Sequence, residues 1–488
     1  MAGTDSIADL VIHGGEIVTS AARFPASIAI SNGRIAAIGA PETMPPSAET
    51  LDATGLAILP GGIDVHVHFR DPGYTHKEDW ASGTSAAAFG GVTTVFDMPN
   101  TIPTVATPEI LAAKHAIADE KAFVDYGLYA VLGEESLDHV EALAEGGVIG
   151  FKLYMGNTFG RIPSPDTGAM LELFERVAPT GKRVSLHAET NTIMERREKR
   201  LREAGRNDPL AHLDSRPAVV AVEAVERAAT LAEWTGARIH ILHISSKEEL
   251  RPLAEAKARG VDITGETGPH YLMLSTDDYA RCKGVIRVNP PVREADCHEP
   301  LWNALKDGTI DMIATDHAPH TPEEKTRSVI WNCDCGFPGV ETQMPLMLTA
   351  VAEGRMDIRD YVRASSEAPA KSFGLYPQKG AILPGADADL ALFDLSEEWV
   401  IDDFKLHSLS RISPWHGRKV KGKLKHTLVR GAFVVRDGAL VETMKGHGRS
   451  VHTIQRMPPA EPRNTHKTIA AVTAAQISAA VTAATPEA

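Results

Sequence analysis

Apolar residues in this chain come in short runs that alternate with longer segments of helical spacing. Between residues 59 and 319 the alternation occurs eight times, with runs at 59–68, 93–100, 125–133, 148–155, 183–189, 238–245, 262–270 and 310–319. Parallel strands need helical crossovers, and eight of them close a sheet on itself. The pattern therefore predicts an α/β architecture, a (β/α)8 TIM-like barrel over residues 59–382. A doubly wound open sheet is the alternative arrangement. The stretch 190–234, rich in charge and alanine, predicts an insertion with extra helices after the fifth strand.

Both flanks of the barrel change character. Residues 1–58 alternate apolar stretches such as Ala8-Asp-Leu-Val-Ile-His13 with turns, and Asn32-Gly33 between alternating apolar residues is a hairpin signal. The same style returns in Ala388-Asp-Leu-Ala-Leu-Phe-Asp394 and Leu428-Val-Arg-Gly-Ala-Phe-Val-Val-Arg-Asp-Gly438. One smaller β-sandwich domain built from both ends, 1–58 with 383–450, is expected. The basic run Gly417-Arg-Lys-Val-Lys-Gly-Lys-Leu-Lys-His426 alternates charge with Val420 and Leu424 and fits a solvent-facing strand. Residues 451–488 turn Pro-rich and then Ala/Thr-rich, the composition of a C-terminal arm or tail.

Charge narrows the partners. The formal net charge is -14, from 50 basic and 64 acidic residues, which argues against nucleic acid and anionic membrane surfaces and points to a small-molecule substrate. Asp5 and Asp9 interrupt the opening of the chain and no run of about twenty apolar residues follows, so a cytoplasmic protein is expected. Four cysteines do not make a disulfide framework; Cys333-x-Cys335 reads as reduced structural thiols on a loop.

Metal-competent residues fall where the runs end. His66 and His68 lie two apart on a strand, so both imidazoles point to one side and can reach one ion. Lys152 lies within the fourth run, His187 ends the fifth, His243 the sixth and Asp316 the eighth. Singly, each histidine could be a satisfied core residue and Asp316 a loop cap. Six such residues at the C-terminal ends of five strands, where barrel enzymes place their chemistry, are not explained by packing. A lysine inside Gly150-Phe-Lys-Leu-Tyr-Met155 is costly to bury as an ammonium and needs a partner or a purpose.

The motifs Asp64-Val-His-Val-His68, Phe151-Lys-Leu-Tyr154, Leu186-His-Ala-Glu189, Leu242-His-Ile-Ser-Ser246 and Ala314-Thr-Asp-His-Ala-Pro-His320 resemble the cyclic amidohydrolases of the amidohydrolase superfamily, over residues 1 to about 450. Within it the resemblance is greatest to dihydroorotase, with hydantoinase and allantoinase as relatives. It implies two zinc ions bridged by hydroxide and by Lys152, carboxylated to its carbamate. His66, His68 and Asp316 would hold the more buried ion, His187 and His243 the more exposed one. Asp316 would be the catalytic group, taking a proton from hydroxide and passing it to the departing ring nitrogen. Arg70, Asn100, Asn289 and His320 match substrate-binding positions; for Arg70 the structural alternative is a salt bridge to Asp71 or Glu78. His270 repeats a family pattern and is expected behind the ligands.

The activity so implied is opening, and reverse closure, of a cyclic amide. The first candidate is dihydroorotate going to N-carbamoyl-L-aspartate, a step of pyrimidine biosynthesis; the alternative is allantoinase or hydantoinase/dihydropyrimidinase activity, and a non-catalytic dihydroorotase-like scaffold is the non-enzymatic one. A homo-oligomer, dimer or tetramer, is expected. Two departures separate the chain from its relatives. Asn157 stands where hydantoinases carry a tyrosine after the lysine, with Tyr154 out of register, and most allantoinases lack the arginine after the His pair and read Ser-Pro where this chain has Ala-Pro-His320. Conversely, the insertion with Ala211-His-Leu-Asp-Ser-Arg-Pro217 resembles the hydantoinase and allantoinase branch.

Overall fold

Eight parallel strands form one sheet in sequential order: β1 (Gly62–Val67), β2 (Val92–Asp97), β3 (Asp125–Val131), β4 (Gly150–Tyr154), β5 (Arg183–His187), β6 (Arg238–Ile241), β7 (Ile263–Thr267) and β8 (Met312–Ile313). The computed structural model describes residues 7–158 and 162–456. The sheet closes beyond the end of β8, where the His68 amide donates to the His317 carbonyl at 2.8 Å and the His317 amide to the His66 carbonyl at 3.3 Å. The closed barrel is thus the architecture, and the open sheet is excluded. Nearly every strand residue is buried, as expected when helices cover a parallel sheet outside and side chains fill it inside.

The crossover helices bury one stripe each. In the helix Val219–Thr235, Ala224, Ala228 and Ala232 recur every four residues and lie against the barrel core. The insertion after β5 holds Asn191–Glu203, Pro209–Ser215 and the start of that helix, as its composition predicts. It contributes His212 and Arg216 to the region described below.

The apolar run 59–68 divides into two strands. Ala57–Pro60 pairs with Leu390–Val400 in a seven-stranded sheet, and β1 begins at Gly62. Both strands are buried throughout, so hydropathy shows no break between them. That sheet draws strands from both ends of the chain, including Lys419–Val429, the strand formed by the basic run. A four-stranded sheet, in the order Arg34–Gly39, Ser27–Ser31, Ala8–His13, Ser47–Asp52, comes from the N-terminal flank alone. Ile12, Ile28 and Ile30 of this sheet and Ile58, Leu390 and Leu428 of the other share one core. Asn32 and Gly33 take φ of 53° and 75°, the left-handed pair that a tight hairpin requires.

At the end of the barrel away from the site, residues 449–456 pack back on the strands. The Tyr126 amide donates to the Arg449 carbonyl at 3.0 Å, and Val451 is buried with Ile149 and Phe373. The remainder of the expected arm, 457–488, lies outside the described residues. At this same end Lys379 Nζ donates to Asp125 at 2.5 Å and Asp389 at 2.6 Å and sits 3.0 Å from Asp387, all four buried, while Arg430 pairs with Asp125. Lys379→Met would leave these carboxylates facing one another in a dry place, a loss of about 3–5 kcal/mol. Thermal unfolding should show a clearly lower midpoint, and an unchanged midpoint would contradict this account.

Candidate metal centre and active site

The ends of β1, β5, β6 and β8 bring the predicted ligands together. His66 Nε2 and His68 Nε2 each lie 3.2 Å from Asp316 Oδ1, and these three residues form a group able to hold a metal ion. Across the barrel mouth His187 Nδ1 and His243 Nε2 are 2.9 Å apart. The His66 and His243 rings, 5.4 Å between centroids, join the two halves. Lys152 on β4 is 1% exposed, and burial brings its ammonium pKa down to about 7. A substantial share of the amine is therefore neutral near pH 7, the form that CO2 can carboxylate.

The hydrogen-bond partners of the histidines decide which nitrogen faces the centre. Glu266 Oε1 accepts from His66 Nδ1 at 2.7 Å, and Asn100 Oδ1 accepts from His68 Nδ1 at 2.7 Å, so each Nε2 turns a lone pair toward Asp316. Glu189 accepts from His187 Nε2 at 2.9 Å, leaving Nδ1 for the centre. Burial alone would raise the Glu189 carboxyl, but the Arg216 guanidinium and the His187 contact outweigh it and hold the pKa down to about 2. Burial keeps His66, His68, His187 and His243 below the ordinary histidine pKa, hence neutral. Neutral imidazoles with their N–H groups turned outward are the donor set a divalent ion requires.

Three residues of the site have left-handed backbone that non-glycine residues rarely adopt: Arg70 at φ 62°, His243 at 41° and Asp316 at 47°. Each follows the end of a strand and is fixed by its surroundings, the pattern expected where strain is retained for function. Asp64 supports the Asp316 loop from below by accepting from the Thr315 hydroxyl at 2.6 Å and its amide at 3.2 Å.

Of the expected substrate contacts, Arg70 and His320 are adjacent, with Nη2 to Nε2 at 3.3 Å, and both are buried. The two acids offered as salt-bridge partners are engaged elsewhere: Asp71 with Lys121 at 2.8 Å, and Glu78 with Ser82, Ser408 and the Leu409 amide. Asn100 lies against His68, at the metal-competent cluster. Asn289 accepts from His212 of the insertion at 2.8 Å, so its described hydrogen bond ties it to the insertion and not to the His–Asp cluster. His270 is buried beside Tyr271 and Phe337, with Asp316 and His243 among its electrostatic neighbours. The Tyr154 hydroxyl is buried without a hydrogen-bond partner among the described residues, and its ring lies 4.8 Å from Lys152 Nζ. All four cysteines are free thiols.

Sequence patterns do not reveal Glu266, the Glu189–Arg216 pair or the acids around His320. Glu266 carries a faint signal, a carboxylate inside the buried strand Ile263–Thr267, and Arg216 carries one in the Ser-Arg-Pro that ends the insertion helix Pro209–Ser215.

A (β/α)8 barrel with neutral histidines, a carboxylate and a buried lysine at the C-terminal mouth defines a metal-site hydrolase class. Comparison with known proteins agrees: residues 57–434 match the model of the amidohydrolase family. The chain is 34% identical to the L-hydantoinase of Paenarthrobacter aurescens over 91% of its own length and 98% of the relative's. It is 35% identical to the allantoinase of Deinococcus radiodurans over 90% and 98% of the two chains. The solved structure of an L-hydantoinase (dihydropyrimidinase) from Arthrobacter aurescens superposes with a TM-score of 0.89 at 33% identity, covering 92% of this chain and all of that one. The chain belongs to the amidohydrolase family, in its cyclic-amide branch, and is a hydrolase of cyclic amide C–N bonds. These relatives are hydantoinases and an allantoinase, which draws the substrate away from dihydroorotate, the first candidate on sequence motifs. No described helix is long and apolar enough to cross a membrane.

Proposed function

We propose that the chain opens a hydantoin-type ring that carries a polar substituent, allantoin being the nearest example. The observation that carries the reading is the outward turn of three histidine N–H groups, to Glu266, Asn100 and Glu189, which aims three lone pairs at one centre. His66, His68 and Asp316 would hold one zinc ion, His187 and His243 the other, with the Lys152 carbamate between them. When bound, such a pair lowers the pKa of water and polarises the scissile carbonyl. Asp316, beside both His66 and His68, accepts the proton of the attacking water and returns it to the leaving ring nitrogen, base first and then acid. The Tyr154 hydroxyl, buried next to Lys152, is placed to donate to the oxygen that gains charge, which compensates for Asn157 at the register where hydantoinases carry their tyrosine.

Arg70 sets the substituent. A buried guanidinium presents planar donors that match a ureido carbonyl or a carboxylate. The same geometry supports a second reading, dihydroorotate, whose ring carboxylate would take the place of the ureido group between Arg70 and His320. A side-by-side assay of hydantoin, allantoin, dihydrouracil and dihydroorotate separates them, and allantoin is expected to turn over fastest. Arg70→Met should cost about a hundredfold in kcat/KM on a ring with an accepting substituent, the worth of a charge-assisted pair, and only a few-fold on unsubstituted hydantoin. Equal losses on both rings would make Arg70 a structural residue.

A further inference from the structure

A second buried cation stands behind Arg70. Lys77, in the loop that follows β1, is 4% exposed, and its Nζ lies 3.0 Å from His320 Nδ1, 2.9 Å from Glu324 and 3.0 Å from Asp334. His320, Glu324 and Asp334 by themselves make a group of metal-ligating type, and the ammonium already sits among them.

The described contacts of His320 favour few proton arrangements. Its Nε2 lies 3.0 Å from the Cys335 carbonyl, which only accepts, and 3.3 Å from Arg70 Nη2, which only donates. Its Nδ1 lies 3.0 Å from Lys77 Nζ, a pure donor, and 3.2 Å from Asp334, an acceptor, with Glu324 at 3.6 Å. With the proton on Nε2, that nitrogen donates to Cys335 and Nδ1 accepts from Lys77, both at 3.0 Å. With the proton on Nδ1, the bonds run to Asp334 at 3.2 Å and from Arg70 at 3.3 Å, both longer. A doubly protonated ring would set an N–H against each of the two cations. The main chain that carries the ring is anchored in turn, because the Ser410 hydroxyl donates to the His320 carbonyl at 2.7 Å.

We propose that Lys77 is a positioning residue for the substrate-binding end of the site: by donating to Nδ1 it fixes His320 as the Nε2–H tautomer and directs the Arg70 Nη2 donor to the substrate instead of to the imidazole. This rests on the reading of Arg70 and His320 as substrate contacts, and it adds a residue that acts on the ring only through them. Glu324 and Asp334 more than offset the ammonium, so the pocket gains a fixed donor without added positive charge that would compete with Arg70. Without Lys77, Nδ1 has no donor; a proton there gains the Asp334 carboxylate at 3.2 Å, a stronger acceptor than the neutral Cys335 carbonyl, and the bare Nε2 accepts from Arg70.

The test is the ring-nitrogen spectrum of the zinc-loaded full chain labelled with 15N-histidine, with His320 assigned by the signal missing in His320→Gln. The wild type should show the proton on Nε2, Lys77→Met on Nδ1, and Lys77→Arg on Nε2 again. In parallel, Lys77→Met should raise KM for the better of allantoin and dihydroorotate about tenfold, one charge-assisted hydrogen bond, with kcat within about twofold, and Lys77→Arg should recover most of it. An unchanged tautomer in Lys77→Met, or a Lys77→Arg variant that restores neither signal nor KM, would overturn the proposal. Should Lys77→Met fail to fold, Asp334→Asn serves: Lys77 still donates there, so Nε2–H must persist, and a shift to Nδ1 refutes the role of Lys77. The tautomer is read without substrate, whereas the substrate reading falls on the Arg70→Met comparison, so the two fail separately.

Discussion

Lys152→Ala is expected to lose its metal and its ring-opening activity together, with turnover down by about a thousandfold or more. Lys152 lies on β4 among the metal-competent histidines, and none of its described contacts gives a buried primary amine at that point a structural task. Beside it lie the Tyr154 ring and the site histidines, and the charges of Asp316 and Glu266 offset only part of the burial cost and leave its pKa at about 7. A buried ammonium with that little compensation is a burden on the fold, so its removal should leave the thermal midpoint of the metal-free protein near that of the wild type. Lys152→Met, which keeps the volume, controls for the cavity. The metal content and the rate constant are measured on the same preparation. Full metal and normal turnover in either variant would exclude a bridging role for Lys152.

Asp316→Asn should cost about a thousandfold in kcat while the protein stays folded, because one atom is asked to do two things. Its Oδ1 is 3.2 Å from both His66 Nε2 and His68 Nε2, and in the proposed reaction it would be a ligand as well as the base for the attacking water and the acid for the leaving nitrogen. Asparagine retains the shape, and its amide oxygen can still accept, but it takes up no proton. Steady-state rates in excess zinc separate the proton role from metal loss. If the Asp316→Asn enzyme in excess zinc came within about tenfold of the wild type, the proton would have to travel through another group.

The barrel and the gathering of its metal-competent residues at one mouth are legible in the sequence for specific reasons. Strand alternation places His66 and His68 on one face whatever surrounds them, and the ends of β5, β6 and β8 deliver His187, His243 and Asp316 because a parallel barrel puts all its C-terminal ends at one mouth. The parts that escape are those fixed by distance in space and not by spacing in the chain. Glu266 reaches His66 across 200 positions, and Lys77 meets His320 across 243. Asn289 shows a related case: its motif suggests a substrate contact, and its described side-chain partner, His212 of the insertion, is set by the fold and not by the motif. The division of the run 59–68 between two sheets is hidden for a simpler reason, since both strands are buried and hydropathy is flat across the junction. Substrate choice is the least legible property. The motifs around Arg70 and His320 favour dihydroorotate, and the relatives over nine-tenths of the chain favour hydantoin-type rings.

In the proposed function the mouth of this barrel is a two-metal hydrolytic centre. Metal analysis of the purified chain, paired with ring opening on the same sample before and after chelation, tests it most directly. The account predicts about two zinc ions per chain, loss of hydantoin or allantoin opening on chelation and its return with added zinc. Fewer than about one ion per chain, with no ring opening when zinc is supplied, would contradict it and leave a barrel that keeps the residues without the reaction.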